Sequence, residues 1–201
     1  YMSAFSWAYV CMAQWNRSTE AAKAANETLF IYAAKDYISN VDNRDDVAVR
    51  DLLLKFPNMN RTGRLPAVLL VCKTMHVRCT STVCRCRAPV DTTGVIQHIE
   101  LHPADRSRWE QDEGDSVFVL HHAPTILVKI DDSDKDTGLG PGVIAVEKHL
   151  CQPFATDVKL TSARVLKVRA RREQVPLTIV TASTLYTLQG TTAEPGLIYY
   201  F

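Results

Sequence analysis

The sequence predicts an α/β fold interrupted by a β-rich insertion. Three observations predict it. Apolar residues at helical spacing are confined to the stretch before about Asn60, short apolar runs separated by turn chemistry fill 61–175, and after Pro176 a strand leads into a hydroxyl-rich loop and a last apolar strand from Leu197. With 201 residues, 46% of them hydrophobic, the chain fits one soluble domain or one and a half small ones. A disordered tail, a collagen-like repeat and a cysteine-stapled miniprotein are excluded.

In chain order, an apolar run at Tyr9 to Met12 precedes Asn16 and Ser18. Either can cap a helix that carries Glu20 in its first turn and Ala21, Ala25 and Leu29 at spacing four. Leu29 to Ala33 reads as a buried strand. A second helix starts at Asp45 and Asp46, places Val49, Leu52, Leu53 and Phe56 on one face and stops at Pro57. Beyond Asn60, strands are expected at Ala67 to Cys72, Met75 to Thr80, Val95 to Leu101, Val117 to His121, Ile126 to Ile130, Val143 to Glu147, Ser162 to Arg169 and Leu177 to Thr181. Turns fall around Gly94, Gly114, Gly138 to Gly142 and Pro153, a rhythm that suggests a small barrel or sandwich.

Charge is segregated along the chain. Lys+Arg 23 against Asp+Glu 22 leaves a net +1, which argues against a protein that coats nucleic acid by bulk charge. Yet 61–90 holds Arg61, Arg64, Lys73, Arg78, Arg85 and Arg87 with no acid, whereas 91–120 is dominated by acids from Asp91 to Asp115. A second basic segment comprises Arg164, Lys167, Arg169, Arg171 and Arg172. Each basic strand reads either as a solvated face or as a phosphate-contacting one.

Several chemistries are poorly supported. Cys79, Cys84 and Cys86 cluster, with His76 or His98 as a fourth zinc ligand, but Cys84-Arg85-Cys86 is too tight for a zinc knuckle, so reduced thiols in an intracellular protein are expected. No glycine is followed by Lys-Ser or Lys-Thr, so there is no P-loop. Asp132, Asp134 and Asp136 resemble the start of a calcium loop, but Gly138 comes one residue late and Val143 stands where a chelating Glu is needed. No run reaches the roughly 18 to 20 apolar residues of a membrane span, and no secretory signal is expected. Tyr1 ahead of Met2, and Phe201 inside an apolar run, lead us to expect a piece of a longer protein.

The most informative stretch runs from Gln174-Val175-Pro176-Leu177 through a strand to Thr184-Leu185-Tyr186-Thr187-Leu188-Gln189-Gly190-Thr191-Thr192. A polar loop at a strand end offers amides and hydroxyls suited to phosphate groups. The loop resembles motif V of superfamily 1B DNA helicases, especially the petite-integration-frequency (Pif) group and its Helitron-type transposon relatives. The matches are Gln174, Pro176, Leu177, Thr184, Gln189, Gly190 and Thr192; Tyr186 replaces the usual His and Thr187 the frequent Lys or Arg. Leu65-Pro66 followed by Met75-His76-Val77-Arg78-Cys79-Thr80, and then Thr92-Thr93-Gly94-Val95, resemble further family segments in the same order. Thr74 and Thr92 stand where that family carries Gly. Asn16-Arg17 and Asn26 resemble its Asn-rich helix after motif IV.

The resemblance implies that 1–60 and 176–201 are two parts of a second RecA-like domain and that 61–175 is an inserted, small SH3-like β-barrel. It implies that Gln189 and Gly190 face nucleotide, and that Thr184 and Tyr186 face single-stranded DNA. Arg78, Arg169, Arg171 and Arg172 are the further candidates for DNA contact. ATP and Mg2+ are implied for a full-length, nuclear parent, with the partner RecA-like domain supplying the P-loop and motif VI following Phe201. No catalytic residue, metal site or cofactor is expected in this chain by itself. The missing glycines and Tyr186 favour the alternative, a non-enzymatic interaction module or a degenerate helicase remnant.

Overall fold

The computed structural model describes residues 2–4, 7–42, 45–55, 59, 62–82, 88–112, 116–131, 133–180, 182–184 and 198–200, with backbone alone at 2–4, 7–11, 13, 182–184 and 198–200. Among these residues it is sheet-rich, with three helices. Strand β1 (Met2–Ala4) pairs in parallel with both β14 (Ala182–Thr184) and β15 (Ile198–Tyr200), so the two ends of the chain share one sheet. Helix α1 (Trp7–Ala25) starts well before the expected caps. Asn16 and Ser18 therefore lie inside it, and Ser18 is buried. It ends at Asn26, whose φ of 52° turns the chain left-handed while the Glu27 amide donates to the Ala22 carbonyl at 3.0 Å.

The strand expected at Leu29 to Ala33 forms as β2 (Leu29–Ala33). It pairs antiparallel with β4 (Val68–Val71) and parallel with β7 (Val117–Leu120), not with β1. Alternation sends Phe30, Tyr32, Leu69, Val71, Phe118 and Leu120 into one buried cluster. Against that cluster lies an open antiparallel sheet ordered β13 (Leu177–Ile179), β5 (His76–Cys79), β6 (Thr93–Glu100), β8 (Thr125–Ile130) and β9 (Val143–Val146). Among the described residues no sheet closes on itself, β13 and β9 being the edges of this one, so the expected SH3-like barrel does not appear. Helix α3 (Pro103–Gln111) sits in the acidic block.

Two backbone positions explain the glycine pattern. At Gly94 an added Cβ would lie 2.4 Å from the Lys129 carbonyl oxygen, because β6 and β8 approach closely there. Thr74, where the family carries Gly, has φ of 64° in the turn between β4 and β5. A β-branched residue is costly in that region, so the turn keeps a glycine geometry without the glycine.

The remaining strands form a second layer. Strand β12 (Val165–Gln174) pairs with β10 (His149–Leu150), β11 (Phe154–Lys159) and β3 (Lys35–Ile38). Helix α2 (Asp46–Leu54), close to its expected bounds, packs Val49 and Leu53 on Val158, Val168 and Ala170. Within that layer the Arg172 guanidinium is fully buried and donates to both Asp36 carboxylate oxygens at 2.9 and 2.7 Å and to the Leu53 carbonyl at 2.9 Å.

Breaking this pair by Asp36→Ala leaves a buried, unpaired guanidinium. Chemical denaturation is expected to show a loss of about 3–5 kcal/mol, whereas replacing both partners with apolar residues of similar size costs less. Thr74→Gly is expected to raise stability by about 1 kcal/mol by relieving the left-handed turn, a shift resolved by the same measurement.

Candidate nucleic-acid interface

Strand β12 alternates strictly. Val168, Ala170, Arg172 and Gln174 face inward, while Lys167, Arg169 and Arg171 face out. The three neighbouring candidates Arg169, Arg171 and Arg172 are therefore not equivalent. Arg172 is withdrawn from any ligand, for a physical reason: a guanidinium in the interior needs the two-oxygen Asp36 partner, and burial leaves no path to a phosphate. Arg169 is exposed, and only its backbone is engaged, its amide donating to Asn40 Oδ1 at 2.7 Å. Arg171 is exposed and uses Nε to donate to the Cys151 carbonyl at 3.2 Å.

The adjoining strands complete this outer face. Tyr37 on β3 lies directly opposite Arg171, and Ala155 on β11 lies opposite Arg169. Tyr37 is 49% exposed. Asp157 faces Lys167, and Glu173 faces Lys35 while also accepting from Lys148 at 3.4 Å. Arg169, Arg171 and, at the far end of β11, Lys159 thus have no acid directly across from them, and of these only Arg171 has an aromatic ring there. Tyr37 was missed from sequence because the alternation of Lys35-Asp36-Tyr37-Ile38 is one of burial and not of hydropathy: the charged Asp36 is buried and the aromatic Tyr37 exposed.

Arg78 lies elsewhere, on β5, half-buried and 3.6 Å from the Asp91 carboxylate. Its neighbour His76 meets Asp131 at 2.6 Å, and Asp131 also accepts from Thr93 Oγ1 at 2.6 Å. Burial pushes the Asp131 carboxyl up, but Thr93 and His76 outweigh it and hold it below the usual range. The polar face of this strand is therefore tied to the acidic block. Thr184 lies in β14, opposite Ala4 in the parallel sheet. Tyr186, Gln189 and Gly190, like Cys84 and Cys86, lie outside the described residues. The candidates thus occupy three different sheets.

The approach to the motif V-like loop is firmly anchored. Gln174 Nε2 donates to the Tyr32 carbonyl at 3.2 Å and its Oε1 accepts from the Val175 amide at 2.9 Å. The Thr80 amide donates to the Pro176 carbonyl at 2.9 Å, and Gln14 on α1 donates to Thr178 Oγ1 at 2.9 Å. Gln174, Pro176 and Thr178 thereby link three elements at the base of the loop. Among the described residues no group of three or more His, Cys, Asp or Glu is placed to hold a metal, and no helix is long and apolar enough to cross a membrane.

No family model matches the chain, and no curated protein matches it. Solved structures do. The chain superposes on the Pif1 helicase from Candida albicans with a TM-score of 0.52 at 16% identity, over 95% of this chain and 37% of that one. It also superposes on Bacteroides Pif1 bound to ssDNA, with a TM-score of 0.52 at 13% identity, over 98% of this chain and 33% of that one. Bacteroides Pif1 in complex with ADP-AlF3 and ssDNA gives the same TM-score, 0.52, at 13% identity. The fold is therefore that of part of a Pif1-like helicase, and the chain spans about a third of those proteins' length.

One constellation near the acidic block titrates in a testable way. Asp105 on α3 is buried and accepts from the His121 and His122 amides, from His122 Nδ1 and from Arg108. Burial raises its carboxyl, but the His122 and His121 amides and the His122 ring together hold it below the ordinary 3.8. A carboxyl depressed in the folded state contributes stability above its unfolded pKa and loses it as pH falls through the folded value. The chain is expected to lose stability steeply below about pH 4. In Asp105→Asn the protein is less stable at neutral pH and that acid limb is flatter, as denaturant titrations at stepped pH will read.

Proposed function

We propose that the chain is the strand-gripping half of an ATP-dependent, Pif-like DNA helicase motor, in an intracellular, nuclear parent of host or transposon origin. The observation that carries this reading is the fold likeness over almost the whole chain, and the motif matches that follow one another in sequence from Leu65-Pro66 to Gln189-Gly190 support it independently. Parallel pairing of β1 with β14 and β15 supports placing both ends in one RecA-like domain. The pairing of β2 with β4 and β7, and of β3 with β12, supports a boundary after α1 rather than at Asn60. In this reading the β-rich middle takes the place of the family's SH3-like insertion.

Within this reading the loop after β13 joins nucleotide to DNA. Gln189 and Gly190 face the nucleotide, Thr184 and Tyr186 the strand, and Tyr186 offers a planar phenol where the family places an imidazole. Arg169 and Arg171 supply phosphate contacts from the outer sheet face. Arg172 is left out of the DNA-binding set, and Arg78 contributes only if its contact with Asp91 opens. Phosphoryl transfer needs a phosphate clamp, a metal and charge stabilisation, which the missing RecA-like domain would bring along with ATP and Mg2+. The left-handed Thr74 favours a retained helicase fold over a degenerate remnant, because the turn geometry survives a costly substitution.

The test is binding of a fluorescent oligothymidylate across a salt series. Affinity is expected to fall as salt rises, and Arg169→Gln with Arg171→Gln to reduce the log–log slope by about 1.4, the value for two phosphates on a single strand. No detectable strand binding by the unmodified chain would reject the reading, as would ATP turnover by the chain alone.

A further inference from the structure

The outer face of the β3, β12 and β11 sheet is not covered by the helix that covers its inner face. Helix α2 packs on Val158, Val168 and Ala170, all of which point inward, whereas Tyr37, Arg169 and Arg171 point the other way. An exposed aromatic with a guanidinium directly across the strand pair is an unusual use of a solvated face. Lysines and acids would serve solubility equally well, and this face does pair them at Lys167 with Asp157 and at Lys35 with Glu173. At Tyr37, Arg171 and Arg169 that pairing stops.

Resting on the single-strand reading above, we propose that this sheet face is a second contact surface for single-stranded nucleic acid, separate from the motif V-like loop, on which Tyr37 stacks a base and Arg169 and Arg171 hold phosphates. Three physical features carry it. Side chains two apart on one strand are separated by about 6.8 Å. That spacing is of the same order as the through-space distance between neighbouring phosphates of one strand, so Arg169 and Arg171 can meet successive phosphates. The neighbours of Arg169 are short, Ala155 across on β11 and Ser39 on the other side, whose amide donates to the Arg169 carbonyl at 3.1 Å, so a sugar-phosphate chain can cross the sheet beside Tyr37. The partner is a single strand rather than a duplex, because a phenol ring lying on a pleated surface stacks on an unpaired base and has no access to one inside a helix.

The surface is held rigid from below. Arg172 and Asp36, the residues next to Arg171 and Tyr37 on the same two strands, are the buried ion pair, so both outward side chains stand on fixed backbone. Cross-strand placement also lets Arg171 lie over a face of the exposed ring or of the bound base in cation–π geometry.

The experiment uses the full chain and a fluorescent oligothymidylate. Tyr37→Ala is expected to weaken binding at least about fivefold, the lower bound for one stacked base, while Tyr37→Phe binds like the unmodified chain. Photocrosslinking from a bromodeoxyuridine-substituted oligomer is expected to label the peptide that carries Tyr37. If the chain binds the oligomer but Tyr37→Ala binds equally well, this inference fails while the helicase-segment reading stands. If the unmodified chain does not bind at all, both fail. Should Tyr37→Ala melt abnormally, the crosslink decides: labelling confined to residues outside 35–38 rejects the surface.

Discussion

The register of β12 depends on one buried ion pair. In a strand with strict alternation, a slip of one residue exchanges the faces, which would turn Arg171 inward and Arg172 out. Only Arg172 has a partner waiting in the interior, the Asp36 carboxylate, with the Leu53 carbonyl as a third acceptor. Its Nη1 has no hydrogen-bond partner among the described residues, so the site is not optimised for energy alone. Two charges removed from water return little net stability, but the slip that turns Arg171 towards Asp36 also carries Lys167 and Arg169 into the places of Val168 and Ala170 against Val49 and Leu53, where the buried cluster is apolar, and that costs far more. We regard the pair as a register lock. Three elements meet at it: β3 and α2, which follow one another, and β12, more than a hundred residues further on.

A parallel logic governs the charge balance. The near-equality of 23 basic and 22 acidic residues is a cancellation between blocks, and folding brings parts of those blocks together. Arg78 lies near Asp91, His76 meets Asp131, and Arg164 reaches Asp45 with 2.6 Å between charged atoms. The first basic block is thereby tied to acids that follow it, and at Arg169 and Arg171 the second keeps an uncompensated face. A sheet face with two such arginines is compatible with a net charge of +1, because local field rather than total charge sets where a polyanion settles.

Periodicity made much of the middle legible. Leu29 to Ala33, the helix after Asp45 and seven of the eight strands expected after Asn60 formed within about two residues of their expected bounds, since each is an apolar run closed by a turn residue. The expected strand at Ser162 to Arg169 extends instead over Val165–Gln174, because its inward positions include Arg172 and Gln174, which no hydrophobic pattern marks. The strand from Phe154 to Lys159 went unread for a related reason, carrying Thr156 among its buried positions. Helix α3 hides within the acidic block because its sequence has almost no apolar face; its signs are Pro103 at the first turn and the buried Asp105. At the candidate interface, Arg169 and Arg171 were legible as charge, but their separation from Arg172, and the place of Tyr37 beside them, follow only from pairing to a strand more than a hundred residues away.

The same pairing sets the distance between the outer sheet face and the loop that follows β13. Only Val175 and Pro176 separate the end of β12 from the start of β13. Pro176 restricts Val175 to extended backbone, and Gln174 pins the junction to the Tyr32 carbonyl. Such a joint cannot act as a flexible linker. Whatever binds at Arg171 is therefore held at a fixed offset from β13, and a displacement of β13 relative to β5 must either break the Thr80 to Pro176 hydrogen bond or carry β12 with it. On the proposed reading, in which a strand is held while a nucleotide-responsive loop changes state, that stiffness would couple the two surfaces.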